Sequence, residues 1–138
     1  RLSRVGYDGA VGFLNGGVKT YADAGNTLET ITSISAEKLS ESLDTVNVVD
    51  VRKPGEFDAE HVADAKHYPL DYMNTHISEL DKGTEYHFHC AGGYRSIIAI
   101  SLLMKNGYSK LIDIDGGFGA ISKTNIPTTE FVCPSTLK

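Results

Sequence analysis

The residues best suited to chemistry lie together in Cys90-Ala91-Gly92-Gly93-Tyr94-Arg95-Ser96. The cysteine ends an apolar run, and an apolar, helix-prone stretch follows the serine. Two glycines allow a tight loop whose backbone amides turn inward. Inward N–H groups and the positive end of a helix stabilise an anion. The same field favours thiolate over thiol at Cys90, which makes it a nucleophile. Arg95 presents a planar donor fork to an anionic group, to loop carbonyls or to a neighbouring carboxylate. Ser96 either caps the helix or gives its hydroxyl to the thiolate. Tyr94 lines the rim, as a substrate contact or as a lid over the loop. A buried structural cysteine before a glycine turn is the plainer reading, but it does not require this order of residues.

Other reactive types carry weaker signals. Asp50 ends a strand-like run beside the same pocket, where it anchors the loop, pairs with an arginine or caps the next turn facing solvent. Arg52 is expected to pair with a local carboxylate such as Glu56 or Asp58. His61 is expected to hydrogen-bond a loop near the pocket. His87 and His89 share one face of a strand, and with Cys90 adjacent they suggest zinc. Cys90 points to the opposite face from His89, so sheet histidines with satisfied hydrogen bonds are expected and no metal site. Cys133 stands in a polar tail, as a bystander or as a thiol that resolves an oxidised Cys90.

These residues need elements to hold them. Strands are expected at 30–34, 46–51, 65–68, 85–90 and 111–114, from their β-branched and aromatic content. Ser35 is placed to cap a helix running to Leu43, with Glu37 in its first turn. Pro54 suits the first turn of a brief helix through Asp58. Asp71 is placed to cap a helix to about Leu80. Residues 97–105 form the strongest helix signal, stopped by Gly107. Gly116-Gly117 opens a turn or short helix, and Pro127 and Pro134 mark a loose tail. Strands separated by helices predict an α/β domain with a central, mostly parallel sheet flanked by helices. Ligands in such sheets sit beyond the carboxyl ends of the strands, here after Val49 and after Phe88.

Length and composition bound the rest. A chain of 138 residues with 41% hydrophobic content can build one cored domain, not two large ones. The net charge of −5 argues against a nucleic-acid binder. No apolar run reaches the length of a membrane span, and no secretory signal pattern is present. Two cysteines without a secretory context predict free thiols and a cytoplasmic setting. Residues 1–27 hold six of the 14 glycines and read as irregular chain with one short strand. Gly6-Tyr7 followed by Gly16-Gly17 weakly echoes Gly107-Tyr108 followed by Gly116-Gly117.

The loop resembles the active-site loop of rhodanese-like sulfurtransferases: a cysteine, four intervening residues, an arginine, then a serine at a helix start. Asp50-Val51-Arg52, Pro54, Glu56-Phe57, His61-Val62, Ala65 and Pro69-Leu70 are similar to that family's first block. Gly107-Tyr108 and Gly116-Gly117-Phe118 are similar to its closing block. The resemblance implies a compact α/β domain over residues 28–130. It implies Cys90 and Arg95 as catalytic residues, with Ala91, Gly92, Gly93, Tyr94 and Ser96 around the substrate and Asp50, Arg52 and His61 in support. Cys90 would take a sulfane sulfur from thiosulfate or a persulfide on a small molecule or protein, then pass it to a thiol, with no metal or organic cofactor. The alternative is a non-catalytic binding or regulatory module. Cysteine-dependent phosphatases have a loop one residue longer, so the tighter ring suits sulfur better than phosphate. Glu60 stands where the family has glycine. The chain has no Trp, and Ile121 near the family's tryptophan position looks like a core substitution. The uncharged loop leaves room for a donor other than thiosulfate.

Arg4-Val5-Gly6-Tyr7, Val11-Gly12-Phe13-Leu14 and Gly16-Gly17-Val18 resemble the connector between a metallo-β-lactamase-fold hydrolase and a rhodanese-like domain. That resemblance implies an upstream hydrolase in the same polypeptide. The expected organisation is therefore a connector at 1–27, the domain at 28–130 and a C-terminal tail at 131–138.

Overall fold

In this computed structural model the structure describes residues 9–133. The Arg4–Tyr7 part of the connector motif, the first half of the glycine echo and Pro134 lie outside the described residues. The chain divides into two compact units, 1–30 and 31–138.

In the first unit the short strand expected in the glycine-rich stretch is absent among the described residues. One helix, α1 (Gly17–Asp23), occupies its second half. The glycines flank this helix more than they interrupt it. Gly16 and Gly17, at φ 83° and 58°, supply the left-handed backbone that turns the chain into it. None of its described residues is buried, and Val11, Phe13, Leu14, Val18 and Tyr21 are all exposed.

The second unit is built on a five-stranded parallel sheet in the order β1-β5-β4-β2-β3. The strands are β1 (Thr32–Ile34), β2 (Asn47–Asp50), β3 (Lys66–His67), β4 (Tyr86–His89) and β5 (Leu111–Ile114). Residue 49 of β2 pairs with Phe88 of β4, and Phe88 pairs with Asp113 of β5, so the central strands are in step. The centre is covered on both faces. Val49, Val51, Phe88 and Leu111 pack under α5 (Tyr94–Lys105), whose buried Ser96, Ala99, Ile100 and Leu103 repeat at helical spacing. Val48 and Ile114 pack on the other face with Ala36 and Leu39 of α2 (Ala36–Ser40) and Ile121 of α6 (Gly117–Ile121). Ile121 is fully buried, as a core substitute for a larger side chain should be.

Local chemistry sets the ends of these elements. The Ser35 hydroxyl accepts from Lys38 N–H, so the expected cap forms, but α2 ends at Ser40 and a 3-10 turn carries the chain on. Pro54 opens α3 (Pro54–Ala59), and the Glu56 carboxylate accepts from Lys53 N–H. The helix expected behind Asp71 breaks up. Asp71 lies inside a 3-10 turn, and only α4 (Met73–His76) is α-helical before a second 3-10 turn. Met73 and Leu80 both reach the core across this broken stretch. Nor does Pro127 open a loose tail. Ala63 N–H donates to the Pro127 carbonyl, Thr129 N–H to His61, and Val132 N–H to Ala59.

Candidate active site

Cys90 is the first residue past β4, at the carboxyl edge of the sheet, and is 1% exposed. Gly93 (φ 97°) then turns the chain directly into α5. A side chain at that φ would be strained, so glycine is required there. The turn brings Gly93 N–H to 3.2 Å from Cys90 Sγ, with the Ser96 hydroxyl 3.8 Å away. Burial pushes the Cys90 thiol up. The N–H groups of Ser96, Gly92 and Gly93 and the Ser96 hydroxyl outweigh it, and the thiol lies below its ordinary value. Gly93, not Ser96, is the N-cap of α5, and helix formation starts at Tyr94 rather than at residue 97. Ser96 sits inside the first turn, where its hydroxyl faces both Gly93 O and the sulfur. Ala91, Gly92 and Tyr94 form an exposed rim.

Arg95 spends its donor fork on a carboxylate. Its Nη1 and Nη2 bond Glu56 at 2.6 and 2.8 Å. The Arg95 hydrogen bond holds Glu56 below the usual carboxylate range, against burial, and Glu56 in turn raises Arg95. The pair joins the start of α3 to the start of α5. Glu56 is thus the partner of Arg95, not of Arg52 as its nearness in sequence suggested.

Arg52 pairs instead with Asp50. Nε and Nη2 reach the Asp50 carboxylate at 2.8 and 2.6 Å, and Nη2 also donates to Glu60 O. Asp50 is fully buried, so it is no solvent-facing cap. The Arg52 guanidinium lies 4.0 Å from the Phe118 ring. Glu60 has φ −170°, extended backbone open to any residue, so the missing glycine costs nothing here. His61 stacks on Phe57 with ring centroids 3.7 Å apart, and its Nδ1 bonds the Phe57 carbonyl. Asp50, Arg52 and His61 therefore brace the end of β2 through these contacts.

His87 and His89 are buried, and burial lowers the pKa of both. They do not have the full hydrogen bonding expected of them. Among the described residues His87 Nδ1 and His89 Nε2 lack a hydrogen-bond partner. His89 Nδ1 lies 3.3 Å from Cys90 O, and Nε2 lies 3.7 Å from the Asp50 carboxylate. No cluster of three or more metal-binding side chains occurs among the described residues. Cys133 is exposed.

The start of α6 supports the loop from below. Phe118 N–H donates to Cys90 O at 2.7 Å and Gly119 N–H to Ala91 O at 3.1 Å. A Cβ on Gly117 would stand 2.3 Å from Cys90 O. Gly117, Phe118, Gly119 and Glu56 are site residues that loop spacing alone misses. The signals for the first three are the Gly-Gly pair after β5, a place where backbone must approach backbone, and the closing-block resemblance of Gly116-Gly117-Phe118. An open cleft of about 560 Å³ is lined by Arg52, Lys53, Glu56, Glu60, Phe118 and Phe131 among others, and it meets the loop through Glu56, which holds Arg95, and Phe118, whose N–H donates to Cys90 O.

The family model described as a rhodanese-like domain matches residues 35–124. A protein named sulfurtransferase from Allochromatium vinosum is 32% identical over 70% of this chain and 94% of its own length. A chloroplastic protein of Arabidopsis thaliana named thiosulfate sulfurtransferase 16 is 34% identical over 58% of this chain and 77% of its own. The crystal structure of a rhodanese-related protein from Thermoplasma volcanium superposes with a TM-score of 0.66 at 28% identity, covering 71% of this chain and 97% of that one.

Proposed function

The chain belongs to the rhodanese-like domain family, and on that footing we propose that it is a sulfurtransferase working through a Cys90 persulfide. The Cys90 thiolate attacks the outer sulfur of thiosulfate or of a persulfide. A new S–S bond forms at Cys90, the donor's own bond to that sulfur breaks, and its electron pair leaves with sulfite or a thiolate. The persulfide anion then rests among the loop N–H groups. A thiol acceptor attacks the outer sulfur and Cys90 leaves as the thiolate, ready for another cycle. No electrons are gained or lost overall in either step.

The observation that carries this reading is the Gly93 N–H aimed at Cys90 Sγ. A neutral thiol is a weak acceptor, so donors gathered around it are best satisfied when the sulfur is charged. The test is intact mass after incubation with thiosulfate or an organic persulfide. The wild type is expected to gain one sulfur atom, lost again on adding a thiol, and Cys90→Ser is expected to gain none at this position. A reduced wild-type protein that gains no sulfur from either donor contradicts transfer and favours a binding module.

We further propose that residues 1–27 are a connector from a metallo-β-lactamase-fold hydrolase domain preceding them in the same polypeptide. The exposed apolar side chains of the first unit, with no described residue of it buried, support this. The upstream coding sequence tests it: a metal-ligand set of that hydrolase fold is expected there, and its absence overturns the proposal. As for membranes, no helix among the described residues is long and apolar enough to cross one.

A further inference from the structure

We propose that the sulfur donor is a low-charge persulfide on an apolar carrier, R–S–SH with R alkyl or aryl, rather than the thiosulfate dianion. This rests on the sulfurtransferase reading and narrows its donor. The reason is the charge around the sulfur. Arg52, Lys53, Glu56 and Glu60 line the cleft that reaches the loop through Glu56, and Asp50 and Arg95 are bonded to Arg52 and Glu56 respectively. Arg52 is held by buried Asp50, and Arg95 by both oxygens of Glu56. Lys53 lines the cleft together with Glu56 and Glu60. Ala91, Gly92, Gly93, Tyr94 and Ser96 carry no formal charge. The surroundings are therefore neutral as a whole, in a chain of net charge −5.

What holds an anion here is the Gly93 N–H and the Ser96 hydroxyl, which converge on a single sulfur, with the positive charge of Arg95 added to them although Arg95 is already paired to Glu56. They suit one charge centred on that atom. A dianion brings a second charge on its sulfonate oxygens, and among the described residues each arginine near the loop already has its carboxylate. Bringing that second charge out of water without a counter-ion is unfavourable.

The organic half of a persulfide has a seat. The cleft of about 560 Å³ shares Glu56 with the Arg95 pair and Phe118 with the support of the loop. Gly55, Ala59, Phe118 and Phe131 give it apolar surface, and Tyr94 adds a ring at the rim, 60% exposed. In the transfer the Cys90 thiolate bonds to the outer sulfur of R–S–SH, the donor S–S bond breaks, and R–S⁻ leaves with the electron pair. The proton stays on the transferred sulfur and then passes to solvent.

The experiment compares rates of Cys90 persulfidation by benzyl persulfide and by thiosulfate, followed by intact mass. Each rate is divided by that donor's rate with free cysteine at the same pH. Cys90→Ser serves as the blank for labelling at Cys133. For the wild type the normalised rate with benzyl persulfide is expected to exceed that with thiosulfate by about tenfold or more. Ala91→Lys places a cation on an exposed loop residue that already carries a Cβ. It is expected to raise the thiosulfate rate relative to the benzyl persulfide rate about fivefold at low salt, whatever it does to both rates in common. Glu56→Gln, which releases Arg95 from its charged partner, is expected to shift the preference the same way and decides the matter should the lysine variant fold poorly. Equal normalised rates in the wild type, or a preference for thiosulfate, overturn the inference and leave the sulfurtransferase reading standing. An unchanged preference in both variants also overturns it. Failure of both donors to label Cys90 removes the sulfurtransferase reading and this one together.

Discussion

Strands β2 and β4 are hydrogen-bonded neighbours, yet their carboxyl ends are built to opposite purposes. The end of β2 closes on itself. Asp50 and Arg52 are both buried, and each satisfies the other at hydrogen-bond distance. The end of β4 does not close. Its N–H donors meet a thiol, and a thiol gives them little back until it loses its proton. Two strand ends with charged or ionisable side chains thus part into a scaffold and a site. A network whose donors and acceptors match is a brace. A set of donors with one soft, ionisable acceptor is poised for chemistry.

Breaking each end should give different kinds of damage. The largest effect on stability is expected at β2. Arg52→Leu strands a buried carboxylate without its counter-charge, and urea denaturation should show a loss of about 3–5 kcal/mol. Arg95→Leu removes a pair that is 25% and 37% exposed, so the same measurement should show a loss of about 1 kcal/mol or less. Equal losses would erase the contrast between the two ends.

Next comes the support that lies under the β4 loop. Gly117→Ala places a Cβ against Cys90 O at a φ of 55°. A loss of about 2 kcal/mol or more is expected, with Cys90 titrating higher because the loop must move. If stability falls and the titration stays put, α6 holds the fold but not the site. The smallest effect is expected from Ser96→Ala. It removes one long hydroxyl contact and leaves the amides, so the Cys90 pKa should rise less than it does in Gly117→Ala. A rise as large as in Gly117→Ala would make the hydroxyl, not the backbone, the main stabiliser of the thiolate.

The same contrast marks what a sequence can disclose. The β4 loop is legible because its parts are contiguous: strand, cysteine, glycines and helix follow one another, and local geometry does the rest. The parallel sheet is legible from Val48-Val49 and from the alternation of strands with helices. What the sequence hides is contact made by the fold. Glu56 lies 39 positions from Arg95, and nothing local favours that partner over Arg52. Gly117 meets Cys90 O only because β5 lies beside β4. The helix expected after Asp71 is broken into 3-10 and α turns, and no local signal marks the break. In the first unit, glycine count suppressed a helix that the glycines only border. His87 and His89 share a face of β4 by the strand period, but the ring nitrogens that lack a partner among the described residues depend on neighbours that no spacing rule supplies.

The central claim is that the loop amides favour the Cys90 thiolate and lower its pKa. Its most direct test is the rate of Cys90 alkylation by iodoacetamide against pH, in the native protein and in urea-unfolded protein. Because the native pKa is lowered, alkylation should reach its plateau at lower pH in the native state, with a midpoint below that of the unfolded chain. A native midpoint at or above that of the unfolded chain would contradict the account.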